Sequence, residues 1–160
     1  MQYPIKYYFT TPGSGGELRT LLYVMPTPIT VLIADDNSHM RESLRILLSP
    51  VENMTLVAEA RNGEEAIALA AELQPDIILM DINMTPVNGF EATRKILKDF
   101  PEIKIIGLSL HKEPAYCRNL MRLGAKGYVT KSSPYEEIII AVKAVALGEN
   151  YIDKGIDDLI

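Results

Sequence analysis

Polar residues of a few chemically useful types stand at the ends of short apolar runs in this sequence. Ile29 to Ala34 leads into Asp35-Asp36, Ile77 to Met80 into Asp81, Ile103 to Leu108 into Ser109, and Lys126 to Thr130 into Lys131. Taken singly, an aspartate after a strand is a turn or cap residue more often than a reactive group, and a loop lysine is a surface charge. If the runs are parallel strands of one sheet, however, their carboxyl ends share an edge. That edge is where open α/β sheets bind ligands.

Three carboxylates brought within a few ångströms of each other resist joint ionisation unless a counter-charge is present. A hard divalent cation supplies one, since Mg²⁺ takes oxygen ligands and pairs one or two carboxylates with a phosphate. In such a setting one carboxylate can act as a nucleophile toward phosphorus. The oxygens of the transferring group then need neutralising. An ammonium (Lys131), a hydroxyl (Ser109) and the backbone N–H groups after the strands suit that task.

The pattern along the chain supplies the elements that would position these groups. Five apolar runs at Ile29–Ala34, Met54–Ala58, Ile77–Met80, Ile103–Leu108 and Lys126–Thr130 alternate with helical patterns. The helices are expected after Asn37-Ser38, either of which can cap, and over Gly63–Leu73, Asn88–Phe100, Pro114–Leu123 and Pro134–Leu147. Gly124 and Gly148 are the expected stops of the last two. Such alternation with short connections predicts an α/β, doubly wound, five-stranded parallel sheet, a flavodoxin-like (βα)5 arrangement with strand order 2-1-3-4-5.

Outside this region, residues 1–28 carry four of the ten prolines and a Gly13-Ser14-Gly15-Gly16 linker-like stretch. We expect an extension that is flexible or loosely docked. Leu18 to Met25 is too short to decide between strand and helix, and Met25 is an alternative start of the chain. Residues 149–160 are expected to be a tail or linker stub.

The chain has 160 residues and a net charge of −5, from 16 basic and 21 acidic side chains, which argues against a general nucleic-acid binder. A single cysteine, Cys117, excludes a disulfide within the chain and disfavours a thiolate zinc site. No run approaches the roughly 18 apolar residues of a membrane span, and no secretory pattern opens the sequence, so a cytoplasmic setting is the expectation. There is no dinucleotide or P-loop glycine motif. His39, on the first helix, is read as a surface residue.

The segments VLIADDNSHMR (31–41), LMDINMTPVNG (79–89), IIGLSLH (105–111) and GAKGYVTKSSP (124–134) together resemble the receiver domains of bacterial two-component response regulators. The resemblance spans residues 29–148, and the EEIIIAVKAVALG helix with its GENYIDKGI tail is most similar to the NarL/FixJ-type subfamily. It implies that Asp81 is the phospho-acceptor and that Asp36 is a direct ligand of Mg²⁺ or Mn²⁺. Asp35 would hold the metal mainly through water, and Asn83 would ligate it through its carbonyl. Ser109 and Tyr128 would be the switch pair, and Lys131 the partner of the phosphoryl oxygens. Asn83 and His111, two residues beyond Asp81 and Ser109, would tune dephosphorylation by lining the path of the attacking water.

The implied partners are a sensor histidine kinase or phosphotransfer protein, and a second copy of the chain on phosphorylation, through the surface of helix four, strand five and helix five. There Tyr116, Leu120 and Leu123 have core spacing, with Cys117 and Met121 on a second stripe. The chain would phosphorylate and dephosphorylate itself rather than turn over a substrate. Two departures from the family stand out: Thr85 precedes Pro86 where the proline usually comes one residue earlier, and Lys131 is followed by Ser132-Ser133-Pro134. Two other readings remain. One is a phosphorylation-independent adaptor with the same fold, which normally lacks one of the acidic or lysine residues. The other is an aspartyl-phosphate phosphatase, which would want an aspartate where Asn83 stands and a nucleophile after the first strand.

Overall fold

The computed structural model describes residues 6–12, 18–24 and 27–159. The Gly13-Ser14-Gly15-Gly16 stretch and the alternative start at Met25 lie outside them. Two strands, β1 (Lys6–Pro12) and β2 (Leu18–Val24), pair antiparallel as a sheet of their own. The apolar run that sequence left undecided is thus a strand, paired from Lys6 opposite Val24 to Pro12 opposite Leu18.

The remaining strands are β3 (Ile29–Ala34), β4 (Met54–Ala60), β5 (Ile77–Asp81), β6 (Lys104–Ser109), β7 (Gly127–Thr130) and β8 (Tyr151–Ile152). They form one parallel sheet in the order β4-β3-β5-β6-β7-β8. The first five follow the expected order. The sixth corrects the five-stranded expectation, since the tail continues the sheet. After α5 (Tyr135–Ala146), Gly148 takes a φ of +92° that favours glycine. The chain then turns back so that Tyr151 and Ile152 pair with Gly127 and Tyr128. A single turn of helix, α6 (Lys154–Asp157), follows, with Asp153 as its cap.

Helices α1 (Ser38–Leu48), α2 (Gly63–Leu73), α3 (Gly89–Asp99) and α4 (Pro114–Arg122) complete the set, and Asn37, Asn62 and Asn88 cap the first three through their side chains. Strand residues alternate between two cores, as the two-residue repeat of a strand requires. Val31, Ile33, Ile77, Leu79, Ile106, Leu108 and Val129 pack with α1 and α5 through Leu44, Leu48, Ile138, Ala141 and Val142. Leu32, Ala34, Ile78, Met80, Ile105 and Tyr128 pack on the other face with α2, α3 and α4 through Ala66, Ala70, Ala92, Ile96 and Leu120. Cys117, read from sequence as part of a second stripe, is fully buried in this second core, and burial pushes its thiol up to about 11. No helix among the described residues is long and apolar enough to cross a membrane.

The turn from β5 into α3 is packed so closely that it allows no side chain at Gly89. A Cβ there would lie 2.3 Å from the Asp81 carbonyl oxygen and 2.8 Å from the Ile82 Cα. Both are backbone atoms of the strand end, so relief requires moving Asp81 itself. Gly89→Ala is expected to cost about 1–3 kcal/mol, the usual range for overpacking, measured as a lower urea midpoint. A wild-type midpoint would show that the turn has slack.

Candidate functional site

Because β3, β5, β6 and β7 are parallel neighbours in near register, their carboxyl ends meet on one edge. Ala34 pairs with Met80, Asp81 with Leu108, and Ser109 with Thr130. The residues at or just past those ends are therefore Asp35, Asp36, Asp81, Ser109 and Lys131. Carboxylate oxygens of Asp35, Asp36 and Asp81 all lie within 4.8 Å of one another. Asp35 is fully buried and Asp81 nearly so, whereas Asp36 is exposed.

Lys131 binds this group together. Its Nζ donates to Asp35 Oδ2 at 2.7 Å and stands 3.1 Å from Asp81 Oδ1. Burial works against the Lys131 charge, but the Asp35 and Asp81 carboxylates outweigh it and hold the ammonium above its ordinary pKa. Asp81 moves upward as well. Burial is the main cause and the neighbouring Asp35 adds to it, against the opposing pull of Lys131 and the Asn83 N–H. One ammonium is thus shared by two carboxylates, and Asp36 adds a third negative charge, so the cluster carries more negative than positive charge.

The backbone orients the acids further. The Asn37 N–H donates to Asp35 Oδ1 at 2.9 Å, and the Asn83 N–H donates to Asp81 Oδ1 at 3.1 Å. The Lys131 N–H donates to the Ser109 carbonyl at 2.7 Å. The loop after Asp81 contains a cis Thr85–Pro86 peptide, and the Gly89 N–H closes it by donating to the Ile82 carbonyl at 3.0 Å. The cis bond therefore lies in this loop.

Ser109 and Tyr128 meet through a third residue. The Ser109 hydroxyl accepts from the His111 N–H at 3.0 Å, while the Tyr128 hydroxyl donates to the His111 carbonyl at 2.8 Å. Tyr128 is fully buried, and burial raises its phenol, so it remains a donor. The His111 ring stacks on Tyr116 with centroids 4.0 Å apart and planes 2° apart, and its Nδ1 is 3.5 Å from Glu113 Oε2. Its side chain is thus held against the start of α4. Asn83 is exposed, as is His39.

Two contributors escape sequence reasoning. Arg41, on α1, donates from a guanidinium nitrogen to the Asp35 carbonyl at 2.8 Å and lies 4.0 Å from Glu59. Asp153, from the tail, reaches the end of β7 beside Lys131. Arg41 gives a weak signal, a basic residue on the helix that follows the acidic pair. Asp153 signals only a helix cap.

The donor set suits a small, hard cation. Carboxylate oxygens dominate, and the exposed Asp36 leaves the cluster open on one side. The deficit of positive charge gives a cation an electrostatic reason to bind there.

Comparison with known proteins agrees with this geometry. Residues 31–143 match the response regulator receiver domain family. The response regulator GacA of Pseudomonas aeruginosa is 38% identical over 128 residues, covering 80% of this chain and 60% of that protein. The transcriptional regulatory protein DegU of Brevibacillus brevis is 40% identical over 124 residues, covering 78% and 52%. The chain therefore spans half to three-fifths of the length of these relatives. Among solved structures, a LuxR-family two-component response regulator from Aurantimonas sp. SI85-9A1 superposes with a TM-score of 0.80 at 32% identity, covering 82% of this chain and 94% of that one. The signal receiver domain of the putative response regulator NarL from Mycobacterium tuberculosis gives 0.73 at 29% identity, covering 78% and 100%. With its acidic cluster, its lysine bridge and its strand order, this chain belongs to the receiver domain family of two-component response regulators, in the NarL/FixJ-like group.

Proposed function

We propose that the chain is a phosphorylation switch in which Asp81 accepts a phosphoryl group from a phosphohistidine of a sensor histidine kinase or phosphotransfer protein. The observation that carries this reading is the Lys131 ammonium placed between Asp35 and Asp81, with Asp36 beside them. Both the Lys131 and the Asn83 contacts fall on Asp81 Oδ1, which leaves Oδ2 to attack phosphorus. The new O–P bond forms as the P–N bond breaks, and the imidazole leaves with the electron pair and takes up a proton. In a separate hydrolytic step, water attacks phosphorus and gives up a proton to the medium, the bond between Asp81 and phosphorus breaks, and inorganic phosphate departs while the carboxylate is restored.

Asp36 directly, Asp35 through water, Asp81 and the Asn83 carbonyl would hold Mg²⁺ or Mn²⁺. Such a cation, when bound, supplies charge neutralisation for the carboxylates and the phosphoryl oxygens. Lys131 offers its ammonium to those oxygens and Ser109 its hydroxyl. A Ser109 hydroxyl drawn toward a phosphoryl group would release the His111 N–H from which it now accepts, and Tyr128 holds the same residue through its carbonyl. Phosphorylation would in this way favour a second arrangement of the β6–α4 connection and α4. The α4, β7 and α5 surface would carry the output, including pairing with a second copy. Asn83 and His111 would govern water access to the aspartyl phosphate.

Incubation with Mg²⁺ and acetyl phosphate should add one acid-stable, base-labile phosphoryl group, seen by intact mass, that Asp81→Asn abolishes. An unmodified wild type would favour the adaptor reading, and repeated turnover of phosphate esters the phosphatase. His111→Ala should alter the lifetime of the phosphoryl group more than its rate of formation, followed by the decay of the labelled species. An unaltered lifetime would remove His111 from that role.

A further inference from the structure

Asp153 is a nearly buried carboxylate, and among the described residues no cation bonds it. Its burial has to be offset by hydrogen bonds, and four donors supply them. The Thr130 N–H and hydroxyl reach Oδ2 at 3.1 and 3.0 Å, and the Ser133 hydroxyl reaches the same oxygen. The Gly155 N–H reaches Oδ1 at 3.0 Å. Together they hold the carboxyl below its ordinary range despite the opposing effect of burial.

Three of these donors, those of Thr130 and Ser133, flank Lys131 along the chain. Thr130 precedes it, and Ser133 lies in the turn that follows, where its N–H donates to the Thr130 carbonyl at 3.1 Å and its hydroxyl is 2.7 Å from Thr130 Oγ1. The Asp153 N–H, in turn, donates to the Tyr128 carbonyl at 2.9 Å. The Lys131 backbone is therefore fixed on one side by its own bond to Ser109 and on the other by a knot whose centre is the Asp153 carboxylate. The serines after Lys131, one of the two departures from the family pattern, take part in that knot. Tyr151 anchors the same segment from its other side by donating to Glu137 of α5.

We propose that Asp153 is a positioning residue for Lys131, so that the C-terminal strand and turn set the geometry of the phosphoryl site. This rests on the reading of Asp81 and Lys131 given above. The carboxylate acts through the backbone: Oδ2 fixes Thr130, Thr130 fixes the direction in which the chain leaves β7, and that direction sets where the Lys131 side chain begins its reach to Asp35 and Asp81. Small misplacements of a charged group cost a transfer reaction heavily, because alignment is most of what the protein contributes.

Asp153→Asn separates this role from simple capping. An amide oxygen still accepts from Gly155, but the amide NH₂ then faces the Thr130 N–H, which cannot rotate to become an acceptor. In the wild-type background this substitution should lower the rate of phosphorylation by acetyl phosphate and Mg²⁺ roughly tenfold. In a Lys131→Ala background it should have less than about a twofold effect, since coupled residues are non-additive. Ser133→Ala should shift the rate in the same direction by less. Amide exchange followed by NMR reads the same effect without phosphate: protection at the Lys131 N–H should fall about tenfold more than at the Leu79 N–H. A wild-type rate in Asp153→Asn, an equal fold-loss in the Lys131→Ala background, or matched losses at Lys131 and Leu79 would overturn the proposal. A wild type that accepts no phosphoryl group would sink the functional reading, and the exchange measurement would still decide whether Asp153 positions Lys131.

Discussion

The Lys131 ammonium shared between Asp35 and Asp81 is the interaction on which the rest of this structure depends. Two carboxylates, one fully buried and one nearly so, stand within 4.8 Å of each other and of a third. Without an internal cation, mutual repulsion would drive them apart. With only one ammonium the cluster stays short of positive charge. On the reading proposed above, that balance suits a switch: the carboxylates are held in place in the resting protein, and a bound cation would supply the positive charge that an anionic phosphoryl group needs. A fully neutralised cluster would have little reason to bind a cation.

The scaffold can be understood as what keeps those three side chains in reach. The acids and the lysine come from three different strands, so their spacing is set by parallel register and by the backbone at each strand end. Gly89 lets α3 begin against the Asp81 carbonyl. Arg41 holds the Asp35 carbonyl, and the knot around Asp153 fixes the turn beyond Lys131. The two cores on opposite faces of the sheet resist any slip in register, because a shift of one residue would turn every strand side chain to the wrong face.

Much of this was legible in the sequence, and the exceptions share a cause. The strand-end rule brought Asp35, Asp36, Asp81, Ser109 and Lys131 to one edge because each follows a strand that the sequence shows, by a continuous apolar run for all but Lys131, which follows the short Lys126–Thr130 segment. The sixth strand was missed because Tyr151-Ile152 is too short to show a period. Its evidence lies in pairing with Gly127 and Tyr128. Cys117 was set on a second stripe of α4, and the packing of β6 and β7 beneath that helix buries one residue from each stripe, Cys117 and Leu120. For β2 the deciding partner is Lys6–Pro12. Asp153 acts on Thr130, which only the fold brings close, and local spacing carries no trace of that; Arg41, six residues after Asp35, leaves only a weak signal. The resemblance implied a place for His111 beside the expected phospho-acceptor, but not the stacking of its ring on Tyr116.

The shared lysine leaves a site short of positive charge, so on the proposed reading a phosphoryl group is accepted only together with a cation. Calorimetric titration with beryllofluoride, a phosphoryl mimic, tests this most directly. We expect binding at one site per chain that requires Mg²⁺ and disappears when EDTA removes it. Equal binding without Mg²⁺, or none with it, would contradict the account.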